Sequence, residues 1–153
     1  MPVTLSKAQV AKTTSISIGS GGTGETFTPI GEIKNIDFSG FKNGVVDVTN
    51  MTTSNGVAQK LATILDYGQV KVTANRVSSD AGQAAVLAAM ISGALTDFKV
   101  TVPMAPGETT QGDVYVLSGI VAEFMPGSFT TNKEVEIQFT IDISGVAVLT
   151  VGS

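Results

Sequence analysis

Few side chains in this sequence could carry chemistry, and their types are restrictive. Among 153 residues there is no His and no Cys. Histidine acid–base catalysis, thiol nucleophiles, disulfides and His/Cys metal centres therefore have no residues to use. Carboxylates remain. Glu134, Glu136 and Asp142 fall on one face of an alternating segment, and paired carboxylates can hydrolyse glycosides or ligate a metal. At strand spacing, positions two apart stand roughly 6–7 Å from one another. Here they lie in a row of Gln and Thr with no aromatic platform for a sugar, which favours a solvated strand face. Asp37 and Asp47 share the segment 30–51. A weak calcium site is the alternative there to ordinary surface carboxylates, although calcium usually gathers several oxygens from one loop.

Two further patterns carry less. Gly19-x-Gly21-x-x-Gly24 formally matches a dinucleotide fingerprint, whose chemistry needs a helix opening on the last glycine. Glu25-Thr26-Phe27-Thr28-Pro29 follows instead and cannot open one, so the stretch reads as a loop. Ser6-Lys7 are neighbours without a Ser-x-x-Lys spacing. No residue set reads as an enzyme site, and no cofactor or metal is expected.

The elements that would position these groups follow from composition and period. The length suits one domain with extended arms: an arm over residues 1–9, a domain over 10–145 and an end segment over 146–153. Charged residues make up only 14%, with a net charge of −4 and a pI near 4.6. A soluble monomer surface carries about 25–35%. A surface so poor in charge can be covered by another copy at low desolvation cost; a Thr/Ser-rich β protein is the plain alternative. The acidic balance argues against a phosphate-neutralising surface. The first nine residues hold no apolar run of the signal-peptide kind. The longest apolar stretch, 84–91, is far short of the roughly 20 residues that span a bilayer, so no membrane insertion is expected and the chain is expected to be made in the cytoplasm.

Alternation predicts strands over 10–18, 30–38, 45–51, 69–75, 96–102, 113–124 and 131–143, with 145–151 pairing with an edge or a neighbour. Asn43-Gly44 is a turn signal, which predicts a hairpin of 30–38 with 45–51. Residues 52–64 read as a long excursion with a helical turn near Gln59 to Ile64. Asp80 and Gln83 form a capping pair for a helix over about 80–93, with Gly93 as its stop. Ala84, Leu87, Ala88, Ile91 and Leu95 make its apolar stripe. The fold class is α+β: an antiparallel β-sandwich or half-open β-barrel of seven or eight strands with one helix.

The order of these elements resembles the tail tube proteins of long-tailed bacteriophages, a fold shared with type VI secretion tubes. The resemblance rests on Asp66-Tyr67-Gly68-Gln69-Val70 before a strand and on Asp80-Ala81-Gly82-Gln83 opening the helix. It continues through Leu95-Thr96-Asp97-Phe98-Lys99-Val100-Thr101-Val102-Pro103 and Leu117-Ser118-Gly119-Ile120-Val121. Pro126-Gly127-Ser128-Phe129 and Thr131-Asn132-Lys133-Glu134-Val135 complete it. It implies a structural virion protein whose hexameric rings stack into a hollow tail tube that conducts DNA during ejection. The implied partners are further copies of the chain, a tape-measure protein in the lumen, tail terminator and tail tip proteins, and DNA in transit. On that reading Glu32, Asp37, Asp47, Glu134, Glu136 and Asp142 are candidates to face the lumen. Thr52, Thr53, Ser54, Asn55, Val57, Leu61, Val3 and Leu5 are candidates for contacts between rings. The alternatives are the tube of a type VI or phage-like contractile particle, and a monomeric β-sandwich binding module.

Overall fold

The computed structural model describes residues 11–21, 24–50, 56–127 and 129–153. The expected arm over 1–9, including Val3 and Leu5, lies outside these residues, as do Thr52, Thr53, Ser54 and Asn55. Among the described residues, a 3-10 turn, Ala11–Thr13, precedes ten strands and one helix. The strands are β1 (Ser15–Gly19), β2 (Phe27–Pro29), β3 (Ile33–Phe38), β4 (Lys42–Asp47), β5 (Lys60–Asp66), β6 (Gln69–Asn75), β7 (Thr96–Thr101), β8 (Val114–Met125), β9 (Glu136–Ile143) and β10 (Val148–Thr150). The helix α1 spans Ala81–Ser92, between β6 and β7.

Seven strands run in the order β2-β1-β7-β8-β9-β6-β3, with β10 on β8 as the eighth member. Every pairing is antiparallel. The edges of this sheet, β2 and β3, are consecutive in the chain and separated only by residues 30–32. Ile30 N–H still donates to the Ile16 carbonyl (3.0 Å), and the Glu32 carbonyl accepts from Asn75 N–H (2.9 Å). One short segment thus touches both edges, so the sheet curls into a half-open barrel, the expected architecture. Alternating side chains fill its concave side: Ile16 and Ile18, Val70 and Val72, Phe98 and Val100, Leu117 and Val121, Phe139 and Ile141.

The helix docks where the two edges part. Asp80 caps it by accepting from Gln83 N–H (2.9 Å) and also accepts from Gly31 N–H (3.2 Å). Gln83 is fully buried. Its amide donates to the Asn75 carbonyl (2.8 Å) and the Gly31 carbonyl (3.3 Å), and its oxygen accepts from Val77 N–H (3.0 Å). Gly93 ends the helix in the left-handed region, as its position in the sequence predicts.

Most of the expected apolar stripe, however, faces outward, with Leu87 half-buried. The buried helix residues are Gly82, Gln83, Val86 and Ala89, whereas Ala84 and Ala88 are exposed, as is Ile91 at 74%. Leu95, just past the helix, is exposed too. Ala-rich on all sides, the helix has almost no amphipathic preference. The Asp80–Gln83 hydrogen bonds choose its rotation instead, together with Gly82, where a Cβ would overlap Pro29 and Ile30 backbone.

The expected hairpin of 30–38 with 45–51 is not formed, nor is a helical turn near Gln59. β3 pairs with β6 and β4 pairs with β5, so 33–47 and 60–75 are the two legs of one long hairpin. Residues 60–64 belong to β5 rather than to a helix. Asn43-Gly44 lies inside β4, not at a turn: Gly44 stands against Thr63 and Ile64, where the register shifts and a Cβ would meet the Thr63 hydroxyl. The long hairpin changes course halfway, at Gly40 (φ 97°) and Gly68 (φ 72°). There Ser39 N–H donates to the Gln69 carbonyl and Gln69 N–H to the Ser39 hydroxyl (2.9 and 2.7 Å).

Candidate assembly surfaces

Beyond that change of course, β4 and β5 form a separate two-stranded ribbon. All ten of residues 41–50 and all eleven of 56–66 are exposed. The ribbon is nevertheless rich in large apolar side chains: Val45 and Leu61 are each 59% exposed and Ile64 is 80% exposed. Opposite charges bracket this apolar middle, with Lys42 across from Asp66 and Asp47 across from Lys60. A lone two-stranded hairpin is marginal in water, and contiguous exposed apolar surface marks a contact site. Of the sequence candidates here, Leu61 lies on the ribbon, and Val57, also exposed, lies in the loop leading to it.

A groove opens where β3 and the start of β1 diverge. It encloses about 480 Å³ and is lined by Thr14, Ile36, Phe38, Gly40, Phe41, Val100, Val102 and Tyr115. None of these side chains is charged. Phe38 packs on Phe41 and Tyr115, with ring centroids 6.4 and 5.6 Å away. Phe41 in turn meets Tyr67 at 5.0 Å, so aromatic rings link the groove to the base of the ribbon.

The convex face of the sheet is polar. The register places Asp37, Lys71 and Thr140 side by side, with Gln69 beside Asp142 and Asn75 beside Glu136. Of the lumen candidates, Asp37, Glu136 and Asp142 therefore share this face. Asp47 lies on the ribbon, in a different sheet. Glu32 occupies the crossing between β2 and β3 with φ 57°. Glu134 precedes β9, which begins at Glu136 rather than at the expected 131. Lys34, at the register shift of β3, joins the last two acids: its ammonium donates to Glu134 Oε1 at 2.9 Å and to Glu136. These hydrogen bonds, Glu136 first, raise the Lys34 pKa, and the bond from Lys34 holds Glu134 below the usual carboxylate range. Asp47 is likewise lowered, by the hydroxyl and then the N–H of Thr49. No three His, Cys, Asp or Glu side chains gather at a metal-binding distance among the described residues.

Sequence reasoning missed Lys34, the ribbon's Val45, Val46, Ile64 and Leu65, and the groove. Lys34 meets acids about one hundred residues away, which local spacing does not reveal. The ribbon's apolar residues come as adjacent pairs, Val45-Val46 and Ile64-Leu65, which in sequence resemble a strand covered on both faces.

No family model matches the chain, and no curated protein matches its sequence. Solved structures do match. The tail of an empty gene transfer agent particle, refined with C6 symmetry, has a TM-score of 0.72 at 18% identity, covering 94% of this chain and 100% of that one. The tail tube of SPP1 gives 0.68 at 17% identity, over 95% and 80%. A chain of the anti-feeding prophage baseplate, six-fold symmetrised, gives 0.71 at 7% identity, over 96% and 98%. The chain has the tail tube-like fold, as its element order predicts.

Proposed function

We propose that this protein is a structural subunit of a phage-type tail, assembling into six-membered rings that stack into a hollow tube through which DNA passes. The observation that carries the reading is the conjunction of an end-to-end tail tube-like fold with a ribbon whose strands pair with no other strand among the described residues. A folded domain that leaves such a ribbon in water is incomplete as a monomer. The gene transfer agent and prophage structures that share the fold are six-fold arrangements, which makes six the expected ring size. Tape-measure, terminator and tip proteins are the expected partners, and the virion tail is the expected location.

The polar convex face is the surface best suited to line the lumen. Asp37, Asp97, Glu123, Glu136 and Asp142 outnumber Lys71 and Lys99 on it by register, with Lys34 reaching Glu136 from the register shift of β3. A net acidic lining repels phosphates and keeps DNA from sticking. Glu32, Asp47 and Glu134 are weaker candidates for this role, because each lies off that convex face. The tube of a contractile injection particle is the second reading, favoured by the similarity to the anti-feeding prophage chain.

Negative-stain microscopy of the purified protein tests the proposal. Rings or tubes with six-fold averages are expected, and a concentration-independent 15.7 kDa species would overturn it. If the convex face lines the tube, Asp37→Lys with Asp142→Lys leaves tubes intact and lowers DNA delivery in a particle assay. Equal loss of both would place those acids at an interface instead.

A further inference from the structure

We propose that the edge of β8 over Val114–Val116, together with the loop 108–113, is a preformed binding site for an extended, uncharged peptide, and that residues 148–153 fill it as a removable strap. The inference stands apart from the assembly reading, since site and strap belong to one chain.

The site is built without the strap. β9 leaves β8 at the Gly119–Ile143 pair, and one further bond runs from Ser144 N–H to the Ser118 carbonyl (2.8 Å). Val114–Val116 pairs with β7 on one side, so its other side is an open edge until β10 adds to it. The loop is anchored next to β7. Val102 N–H donates to the Asp113 carbonyl (2.9 Å), and a Cβ on Gly112 would overlap the backbone of Val102 and Pro103. Glu108 closes the preceding turn: its N–H donates to the Ala105 carbonyl (3.0 Å), and its carboxylate accepts from Ala105 N–H (2.7 Å). A site ordered by its own contacts takes a ligand without a further ordering cost.

The strap is read through its backbone. The N–H groups of Thr109, Thr110 and Gln111 converge on the main-chain oxygen of Ser153 (3.0, 2.8 and 3.4 Å), a nest of successive donors. Ser153 N–H donates to the Gln111 carbonyl (3.0 Å), and Gly152 N–H donates to Asp113 Oδ1 (2.8 Å). A side chain at 152 would run into Glu108 and the Gln111 carbonyl, so the site selects glycine there. The Glu108 and Asp113 carboxylates flank that position and repel an acidic ligand. Strand addition of this kind takes its affinity from main-chain bonds.

Side chains add little to the hold. β10 makes three register pairs, and all three of its side chains are exposed. Ala147 packs against the core, but Val146 and Val151 are 70% and 68% exposed. Gly145, with φ 98° and open space where a Cβ would stand, is placed to act as the hinge. A segment with few buried apolar contacts and solvent-exposed hydrogen bonds opens more readily than the core.

Two measurements test this. In the parent chain, hydrogen exchange is expected to show the Thr109, Thr110 and Gly152 amides opening together, protected but faster than those of Val70 and Val72. Protection equal to the core, or none, would overturn the proposal. The second uses a full-chain variant with Leu149→Pro, Thr150→Pro and Gly152→Val. Successive N–H groups of a strand point to opposite sides, so the two prolines remove whichever one faces β8. A labelled, amide-ended peptide of residues 145–153 is expected to bind this released variant one to one. It should bind the parent at least about tenfold more weakly, because a tethered strap competes at high effective concentration. Gly152→Val in the peptide, or Asp113→Ala in the released variant, should weaken binding. Equal binding to parent and released variant, or equal binding of the glycine and valine peptides, would place the peptide elsewhere and overturn the site. Absence of binding to a folded released variant would do the same. Loss of the folded circular dichroism signal in that variant would show that the strap belongs to the core, which also overturns it.

Discussion

The curled sheet and the ribbon are built from the same long hairpin, yet they meet opposite environments. In the half formed by β3 and β6, Val70, Val72 and Ala74 have no exposed surface, because β9, the helix and the far edge of the sheet close over them. In the half formed by β4 and β5, every side chain is exposed. Both halves are rich in aliphatic strand residues, but β6 alternates while the ribbon carries adjacent apolar pairs, Val45-Val46 and Ile64-Leu65, on both of its faces. The change of course at Gly40 and Gly68 makes the difference, carrying the second half off the barrel. Apolar content therefore stabilises folding in one half and is held for association in the other.

The sharpest way to break this comparison is to make matched substitutions in the two halves of the β architecture. Phe139→Ala removes a ring that is 1% exposed and is expected to destabilise folding by about 3–5 kcal/mol. Ile64→Asp should change folding stability by no more than about 0.5 kcal/mol but eliminate assembly. Denaturant titration and sedimentation, run side by side, separate the two outcomes. A large loss of folding stability in Ile64→Asp would show that the ribbon belongs to the core after all.

The helix junction sharpens the comparison, because there polar contacts decide which apolar face is buried. Gln83→Leu keeps the volume but strands the Asn75 carbonyl and Val77 N–H that Gln83 now satisfies. Leaving buried polar groups unpaired costs about 1–3 kcal/mol each, so a loss of about 2–4 kcal/mol is expected in a urea titration. A neutral outcome would mean that helix rotation is set by Gly82 alone.

These contrasts explain which parts of the structure were legible in the sequence. The core strands β6 and β9 were, because their alternation is strict and one face is fully covered; β8 was legible as a strand, but Val114-Tyr115-Val116-Leu117 does not alternate, and the face it buries carries Leu117 and Val121 rather than the expected Val114, Val116, Ile120, Ala122 and Phe124. The cap at Asp80 and the stop at Gly93 were, because each acts within four residues. The rotation of α1 was not, since Gly31, Asn75 and Val77 define it from outside the helix. The pairing of 33–47 with 60–75 was not either. Asn43-Gly44 mimics a turn, and here its glycine serves to make room for Thr63. Of the candidate site, Leu61 and the acidic strand face were readable, whereas the groove exists only once β1, β3, β7 and β8 have come together.

The smallest expected effect concerns Lys34, which is tied to two of the predicted lumen acids. Both Glu134 and Lys34 are solvent-exposed, so their ion pair is screened and weak. Its sign is still definite. The lowered Glu134 pKa means that this stabilisation is present above the ordinary carboxylate value and is lost as pH falls through the lowered one. The raised Lys34 pKa means that it is also present below the ordinary lysine value and is lost as pH rises through the raised one. Lys34→Met should therefore lower Tm slightly across the neutral range, with the gap to the parent closing in acid, in strong base and at high salt. On the ribbon, Lys42/Asp66 and Asp47/Lys60 are register partners that form no ion pair among the described residues, so Lys42→Met should shift monomer Tm less than Lys34→Met at neutral pH and low salt. A larger shift for Lys42→Met would mean that the ribbon contributes to monomer stability as the curled sheet does, and the distinction between the two halves would fail at its charged surface.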